Sequence, residues 1–449
     1  MVRVRSATQH TLNSTPSALQ PANTEAFEKA TYAKVTWRLL PFLLLCYVAA
    51  YLDRVNVGFA KLEMSADLGF SDAVYGLGAG IFFIGYFLFE VPSNLIMHKV
   101  GARLWIARIM LTWGCLSAAT AFVTTPEMFY AVRFALGVAE AGFFPGVLLY
   151  LTYWFPAQRR GGMTALFMTA IPLTGVLGGP LSGWILQAFG GTDGLAGWQW
   201  LFVLQAAPSI VAAVATLVFL DTGIASARWL SPAEKALLQH NIEAEQRTKP
   251  AHSLREVFMS PSVWLMSAIY FSFVMGLYGI GFWLPTIIRA TGVTHPLDIG
   301  WLTAIPYGVA GLVMLAVSAS SDRRSERRWH VAIPAALGGL GLLLSTLFAD
   351  NTILSMAAMT LATAGIISAL PLFWSLPTAL LGGAAAAAGL AMINSIGNLA
   401  GFVSPYVVGM VSAATHDTRM GMAILAMSMF IGAALTLSVK PGSARVHSG

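Results

Sequence analysis

Charge is what this chain has least of. Asp, Glu, Lys and Arg make up 10% of its 449 residues, against about 25% in an average soluble domain. With 57% of residues hydrophobic and a mean hydropathy of +0.70, a water-soluble fold could not hide its apolar surface, which excludes a soluble enzyme. Cysteine is nearly missing: Cys46 and Cys115 both lie inside apolar runs, so neither a disulfide framework nor a thiolate metal site is expected. No glycine-rich loop ends in a Lys-Ser or Lys-Thr pair, and no Cys or His pairs stand at metal-ligand spacing. No nucleophile-and-base set appears either. ATP-driven transport, a bound cofactor or metal, and catalysis are therefore not expected. The pI near 9.4 invites a nucleic-acid reading, but the positive charges lie in short segments between apolar runs, the bias of a membrane protein.

What is abundant is apolar sequence, in stretches near the ~20 residues a helix needs to cross a bilayer. These stretches do not alternate as barrel strands would. Twelve spans are read, at 37–60, 74–97, 103–124, 127–154, 162–190, 199–220, 261–288, 298–320, 330–349, 352–375, 384–412 and 419–439. The predicted fold is an all-α polytopic membrane protein embedded in the lipid bilayer. Twenty-one of the 26 Lys and Arg residues fall on the side of the two termini. Only Lys61, Arg289 and Arg419 fall opposite, and Arg54 and Arg133 lie inside spans. That bias predicts cytoplasmic termini. Trp37, Trp154, Trp198, Trp264 and Trp329 stand near span ends, where interfacial anchors are expected. Residues 1–36 read as a disordered cytoplasmic tail and lead-in, because the first thirty are rich in Ser, Thr, Asn, Gln and Pro. Residues 440–449 read as a second tail. Val48-Ala49-Ala50 mimics a signal-peptide cleavage site, but apolar sequence runs on to Ala60 and the span is read as retained.

The longest loop, 222–260, contains Leu230-Ser231-Pro232-Ala233-Glu234-Lys235. Ser231 has the place of an N-cap and Pro232 the first helical position, which predicts a short helix. The loop separates a six-span bundle at 37–221 from another at 261–439. A weak echo relates them: Pro156 and Gly161-Gly162 recur as Pro377 and Gly382-Gly383, and Arg103 recurs as Arg324, at an offset of 221. Two pseudo-symmetric bundles of this kind are how one transporter superfamily builds alternating access.

A charge at the bilayer centre costs ~2.5–3.5 kcal/mol on insertion scales. Asp53, Arg54, Glu90, Arg133 and Glu140 all lie inside spans of the first half, and the second half has none at comparable depth. Asp53 and Arg54 are adjacent, so they point roughly 100° apart and each must find partners on other helices. Arg133 and Glu140 are seven apart and share a face. Either these groups are ion pairs that fix packing, or they are cations for an anion and carboxyls that carry protons. Glu90 reads as a packing or gating residue near the end of span 2. In the second half, Asn394 and Asn398 share a face of span 11, and Trp374 lies too deep for an interfacial anchor. Span 5 packs Gly175, Gly179-Pro180 and Gly183 into a close-approach and hinge segment.

These residues resemble a known family. Twelve spans in two halves with basic loops after spans 2 and 8 resemble the major facilitator superfamily. Tyr51-Leu52-Asp53-Arg54-Val55-Asn56-Val57-Gly58-Phe59-Ala60, the segment Arg133 to Gly142, and Asn398-Leu399-Ala400-Gly401 are similar to segments of its anion:cation symporter family. Tyr86-Phe87-Leu88-Phe89-Glu90-Val91-Pro92-Ser93-Asn94 is similar to the bacterial tartrate-type branch. The resemblance implies proton- or sodium-coupled uptake of organic anions through a bacterial inner membrane by a monomer. It implies Asp53 and Glu140 as protonation sites, Arg54 and Arg133 as the positive pocket, and Asn398 as a polar substrate contact. Trp374 matches an aromatic pocket position more loosely, with Tyr51 and Tyr86 as further pocket aromatics and Asn394 beside Asn398. One departure stands out: the loop after span 2, His98 to Arg103, lacks the Asp of the superfamily's loop motif, whereas Asp322-Arg323-Arg324 keeps it. The expected function is proton symport of a small carboxylate, of the tartrate, sugar-acid or aromatic-acid class. The alternative is a proton-coupled drug or cation efflux antiporter, which the glycine-proline segment of span 5 resembles. Two arginines inside spans count against a cationic cargo.

Overall fold

The computed structural model describes residues 21–246, 259–380 and 383–439, and every regular element among them is helical. Twelve helices are long and apolar enough to cross a membrane. The first half has Glu25–Leu68, Asp72–Met97, Ala102–Phe122, Pro126–Thr152, Arg159–Phe189 and Gly197–Phe219; the second has Pro261–Ala290, Pro296–Arg324, Arg328–Leu347, Thr352–Pro377, Gly389–Thr415 and Arg419–Ser438. They are spans 1 to 12 below and match the twelve apolar stretches one for one.

The disordered lead-in is corrected in part. Residues 1–20 lie outside the described residues, but a helix starts at Pro21 and continues into span 1. Composition underrated this stretch because its stabilising partners are distant in sequence. The Tyr32 ring stacks on Phe155 at 6.0 Å and lies 4.2 Å from the Arg159 guanidinium. Asn241 donates to the Tyr32 hydroxyl at 3.1 Å, and Lys34 pairs with Glu234 at 2.9 Å. Both of those partners belong to the helix expected in the long loop, which runs Pro232–Gln246. Its cap is reciprocal: the Glu234 backbone N–H donates to Ser231 Oγ at 3.3 Å, and the Ser231 N–H donates to the Glu234 carboxylate at 2.7 Å. That backbone N–H, and Lys34 after it, hold the Glu234 carboxyl below its ordinary value. The second copy of the sequence echo runs through residues 381–382, outside the described residues.

The halves meet through spans 1 and 7, 2 and 11, and 5 and 8. Small residues make the approach possible. A Cβ on Gly179 would come 2.6 Å from the Gly300 carbonyl oxygen of span 8, and Pro180 lies inside the same helix against Gly300. On the side of the loop joining spans 1 and 2, the Tyr75 hydroxyl donates to the Phe282 carbonyl at 2.8 Å and Arg289 donates to the Leu62 carbonyl. There Asp72 takes Lys61 at 2.8 Å and Ser412 Oγ at 2.5 Å. Near the terminal side, Glu90 accepts from Asn394 Nδ2 at 3.0 Å and Ser395 Oγ at 3.2 Å. Asp322 pairs with Arg327 in its own loop, and Arg323 is exposed.

Two of the five expected interfacial tryptophans face protein rather than the surface. Trp37, Trp264 and Trp329 are exposed, but Trp154 and Trp198 are buried. Trp154 stacks on Trp229, and Trp198 donates to Asp67 at 2.8 Å. Nearness to a span end carries no information about which face a ring takes.

Candidate functional site

The mid-membrane site is organised by span 1. As the 100° step between neighbours requires, Asp53 and Arg54 diverge. Arg54 points toward the junction of the halves. One Nη bonds Glu140 of span 4, and the other donates to the Tyr278 hydroxyl of span 7 at 2.8 Å. The rings of Phe82, Tyr86, Tyr51 and Phe83 surround the guanidinium, with centroids 5.3, 5.5, 5.9 and 6.0 Å away. Aromatic faces suit a guanidinium removed from water, since their quadrupoles attract the cation. Its Nε is buried without a partner.

Glu140 reaches Arg54 because span 4 breaks there. One helix ends at Glu140 and the next starts at Phe143. Between them Gly142 has φ +89°, a left-handed conformation suited to glycine, and a Cβ there would also strike the Ser93 side chain. Arg133 shares the face of Glu140 yet does not join it. It is fully buried, reaching only the Gly78 and Ala79 carbonyls at 3.4 and 3.5 Å, and its Nη1 has no partner. Both cations approach the Phe82 ring, Arg133 at 5.2 Å and Arg54 at 5.3 Å.

Asp53 turns into the first half and is 1% exposed. Ser117 Oγ donates to Oδ1 at 2.9 Å, while Trp113 Nε1 and Ser209 Oγ donate to Oδ2 at 3.1 and 2.5 Å. Serine hydroxyls can donate or accept, so this cradle can hold the carboxyl with or without its proton. Of the second-half residues singled out, Asn394 is engaged with Glu90, and Asn398 is half-buried with no hydrogen bond among the described residues. Trp374 is half-buried, its ring 4.8 Å from Tyr270. Tyr51 is buried with its hydroxyl unpartnered, and Tyr86 is buried at the Arg54 cage.

Tyr278 and Tyr270 were missed. Neither tyrosine is charged; a polar-tipped ring at mid-span was the signal available. The arrangement offers a cation, held by a carboxylate that a proton can neutralise, in an aromatic cage of the first half that the Tyr278 hydroxyl links to the second. A carboxylate ligand has a place to bind there once Glu140 lets go, because guanidinium forks match carboxylates through two parallel bonds.

Comparisons with known proteins bear on the family and the fold. The pattern of the Major Facilitator Superfamily matches residues 43–405. The "Putative metabolite transport protein NicT" of Pseudomonas putida is 49% identical, over 92% of this chain and 94% of its own. A "Putative tartrate transporter" of Agrobacterium vitis is 46% identical over 92% of each. The "Quinolone resistance transporter" of Acinetobacter baumannii is 42% identical over 92% of this chain and 95% of its own. Among solved structures, a bacterial homolog of the human lysosomal transporter Spinster, inward-facing and occupied, superposes with a TM-score of 0.72 at 16% identity, over 92% of this chain and 98% of its own. That likeness concerns the fold alone.

Proposed function

Because the chain belongs to the Major Facilitator Superfamily, a family of transporters rather than enzymes, we propose that it imports a small organic carboxylate together with protons. The observation that carries this reading is the Arg54–Glu140 pair, buried and bridged to the other half by Tyr278. Protonation of Glu140 weakens its hold on Arg54 and frees the guanidinium for the anion. The rocking of the halves then carries both across, and loss of the proton restores the pair and expels the anion. Proton and substrate thus act through one cation. The relatives named for tartrate and metabolite transport support a carboxylate of that class. The excess of Lys and Arg on the terminal side supports cytoplasmic termini in a bacterial inner membrane. The chain is taken to work as a monomer, with sodium as the alternative coupling ion.

Purified protein in liposomes, given labelled tartrate, galactonate, phthalate and nicotinate, tests the proposal. Accumulation of one anion only under an outside-acid gradient is the expected result. A second reading, proton-coupled efflux of a drug, is favoured by the quinolone-resistance relative. It wins if no anion accumulates and a lipophilic cation or fluoroquinolone moves against the gradient.

A further inference from the structure

Asp53 poses a problem for any proton-coupled cycle, because it is sealed from solvent. The charged groups that act on it are Glu140 and Arg133 of span 4 and its neighbour Arg54; spans 3 and 6 contribute only Trp113, Ser117 and Ser209. None of these opens a path to water.

Unsatisfied polar atoms gather near it. Buried polar groups normally have partners, and an exception calls for an explanation. Asn56 is 1% exposed, and neither its Nδ2 nor its Oδ1 has a partner. It stands three residues after Asp53, on the same side of span 1. The Tyr51 hydroxyl and Gln205 Oε1 are buried and unpartnered too. Asn56 and Tyr51 line a cavity of about 30 Å³ between spans 1, 5, 7 and 8. Ser182 lines it as well, and Gln205 Nε2 donates to Ser182 Oγ at 2.8 Å. Gln205 lies one turn before Ser209, which holds Asp53 at 2.5 Å. A cavity this size has room for water, which needs about 10–15 Å³ of such volume. Most of its wall is apolar, but Tyr51, Asn56 and Ser182 supply the polar partners a water needs.

We propose that this cavity is a water site through which protons reach Asp53, with Asn56 and Gln205 as the positioning residues that hold the water. The proposal rests on the symport reading and deepens it. The two remaining gaps, Asn56 to Asp53 and Gln205 to Ser209, are each one helical turn, about 5–6 Å between Cβ atoms, which a single water bridges. A hydronium in the cavity protonates the water that bridges Gln205 and Ser209, and that water gives a proton to Ser209 Oγ as Ser209 passes its own to Asp53 Oδ2. The carboxylate becomes a carboxylic acid and a neutral water remains. Tyr307 and Thr303 of span 8 close the far wall, so movement between the halves opens or seals the water site without moving Asp53.

The test compares two assays in proteoliposomes, using whichever of the four labelled anions wild type accumulates. Acid-driven accumulation requires Asp53 to load and discharge a proton; counterflow exchange at equal pH does not. Asn56→Leu and Gln205→Leu are each expected to slow acid-driven uptake about tenfold while leaving counterflow within about twofold. Asn56→Ser, small enough to admit a further water, is expected to restore at least about half the rate. Equal losses in both assays, or no loss in either, overturn the water site. A raised counterflow KM in Asn56→Leu also overturns it, and makes the cavity a substrate pocket instead. If wild type accumulates none of the anions, the symport reading fails first and the water site falls with it.

Discussion

Both halves put hydroxylated aromatics at mid-span, Tyr51 and Tyr86 in the first, Tyr270 and Tyr278 in the second. Yet the deep ionic groups, Asp53, Arg54, Arg133 and Glu140, all come from the first. The imbalance extends to the junction. Among the described residues no ion pair joins the two halves; Arg54 meets Tyr278, Glu90 meets Asn394 and Ser395, and Asp72 meets Ser412. Parting a charge from a neutral partner costs about 1.5–3 kcal/mol, whereas breaking a buried ion pair costs about 3–5 kcal/mol. Keeping the strong pair inside one half and the weaker bonds between halves makes a junction that can open and close. A surface that must part in every cycle is better built from neutral hydroxyls and amides than from opposite charges.

The largest expected effect comes from damaging Arg54, the mid-membrane cation bonded to Glu140 of one half and Tyr278 of the other. Arg54→Lys keeps the charge but loses the fork, and should reduce anion counterflow about 100-fold, near 2.8 kcal/mol. Uptake kinetics at constant pH measure this; full activity would remove Arg54 from substrate binding. Arg133→Lys should do far less, because Arg133 is fully buried on the Gly78 and Ala79 carbonyls and joins neither Glu140 nor the second half.

Glu140→Gln separates the carboxyl's role from that of the cation. The acid form of Glu140 is the one that frees Arg54, so wild-type binding should strengthen as pH falls. In the variant that dependence should flatten and gradient-driven accumulation should vanish, with counterflow kept within about threefold. Anion affinity measured across pH 5 to 8 reads this; retained pH dependence would assign coupling to another group.

Ser412→Lys attacks the contrast directly by placing a cation from the second half against Asp72. If weak bonds are what let the junction part, the new ion pair should slow net uptake about tenfold while leaving anion affinity unchanged. Unslowed uptake would show that bond strength there does not limit the cycle. The smallest effect belongs to Tyr278→Phe, which removes one hydrogen bond to Arg54 and should raise KM about five- to tenfold. An unchanged KM would make Tyr278 a packing residue.

Much of the fold was legible because a transmembrane helix announces itself locally, in one window of apolar residues. The capping box at Ser231 and the close approach at Gly179 are equally local. The helical start at Pro21 was not legible, because it leans on Asn241, Glu234 and Arg159, residues more than a hundred positions away. Within the site, the ionisable residues could be read from the cost of putting them in a bilayer. Tyr278 and Asn56 stood out less, because a neutral polar residue inside a span carries a smaller penalty than a charge.

By itself the sequence determined that a charged cluster lies in the membrane, that it belongs to the first half, and that Asp53 and Arg54 must part company. Helix geometry and the cost of burial suffice for that. Tertiary structure alone decided the partners: Glu140 went to Arg54 rather than to Arg133, its companion on the same face, and Asp53 went to three neutral donors on spans 3 and 6. Spacing along one helix sets only a direction. Which group waits in that direction depends on how distant helices pack, and on a break at Gly142 that ends one helix at Glu140.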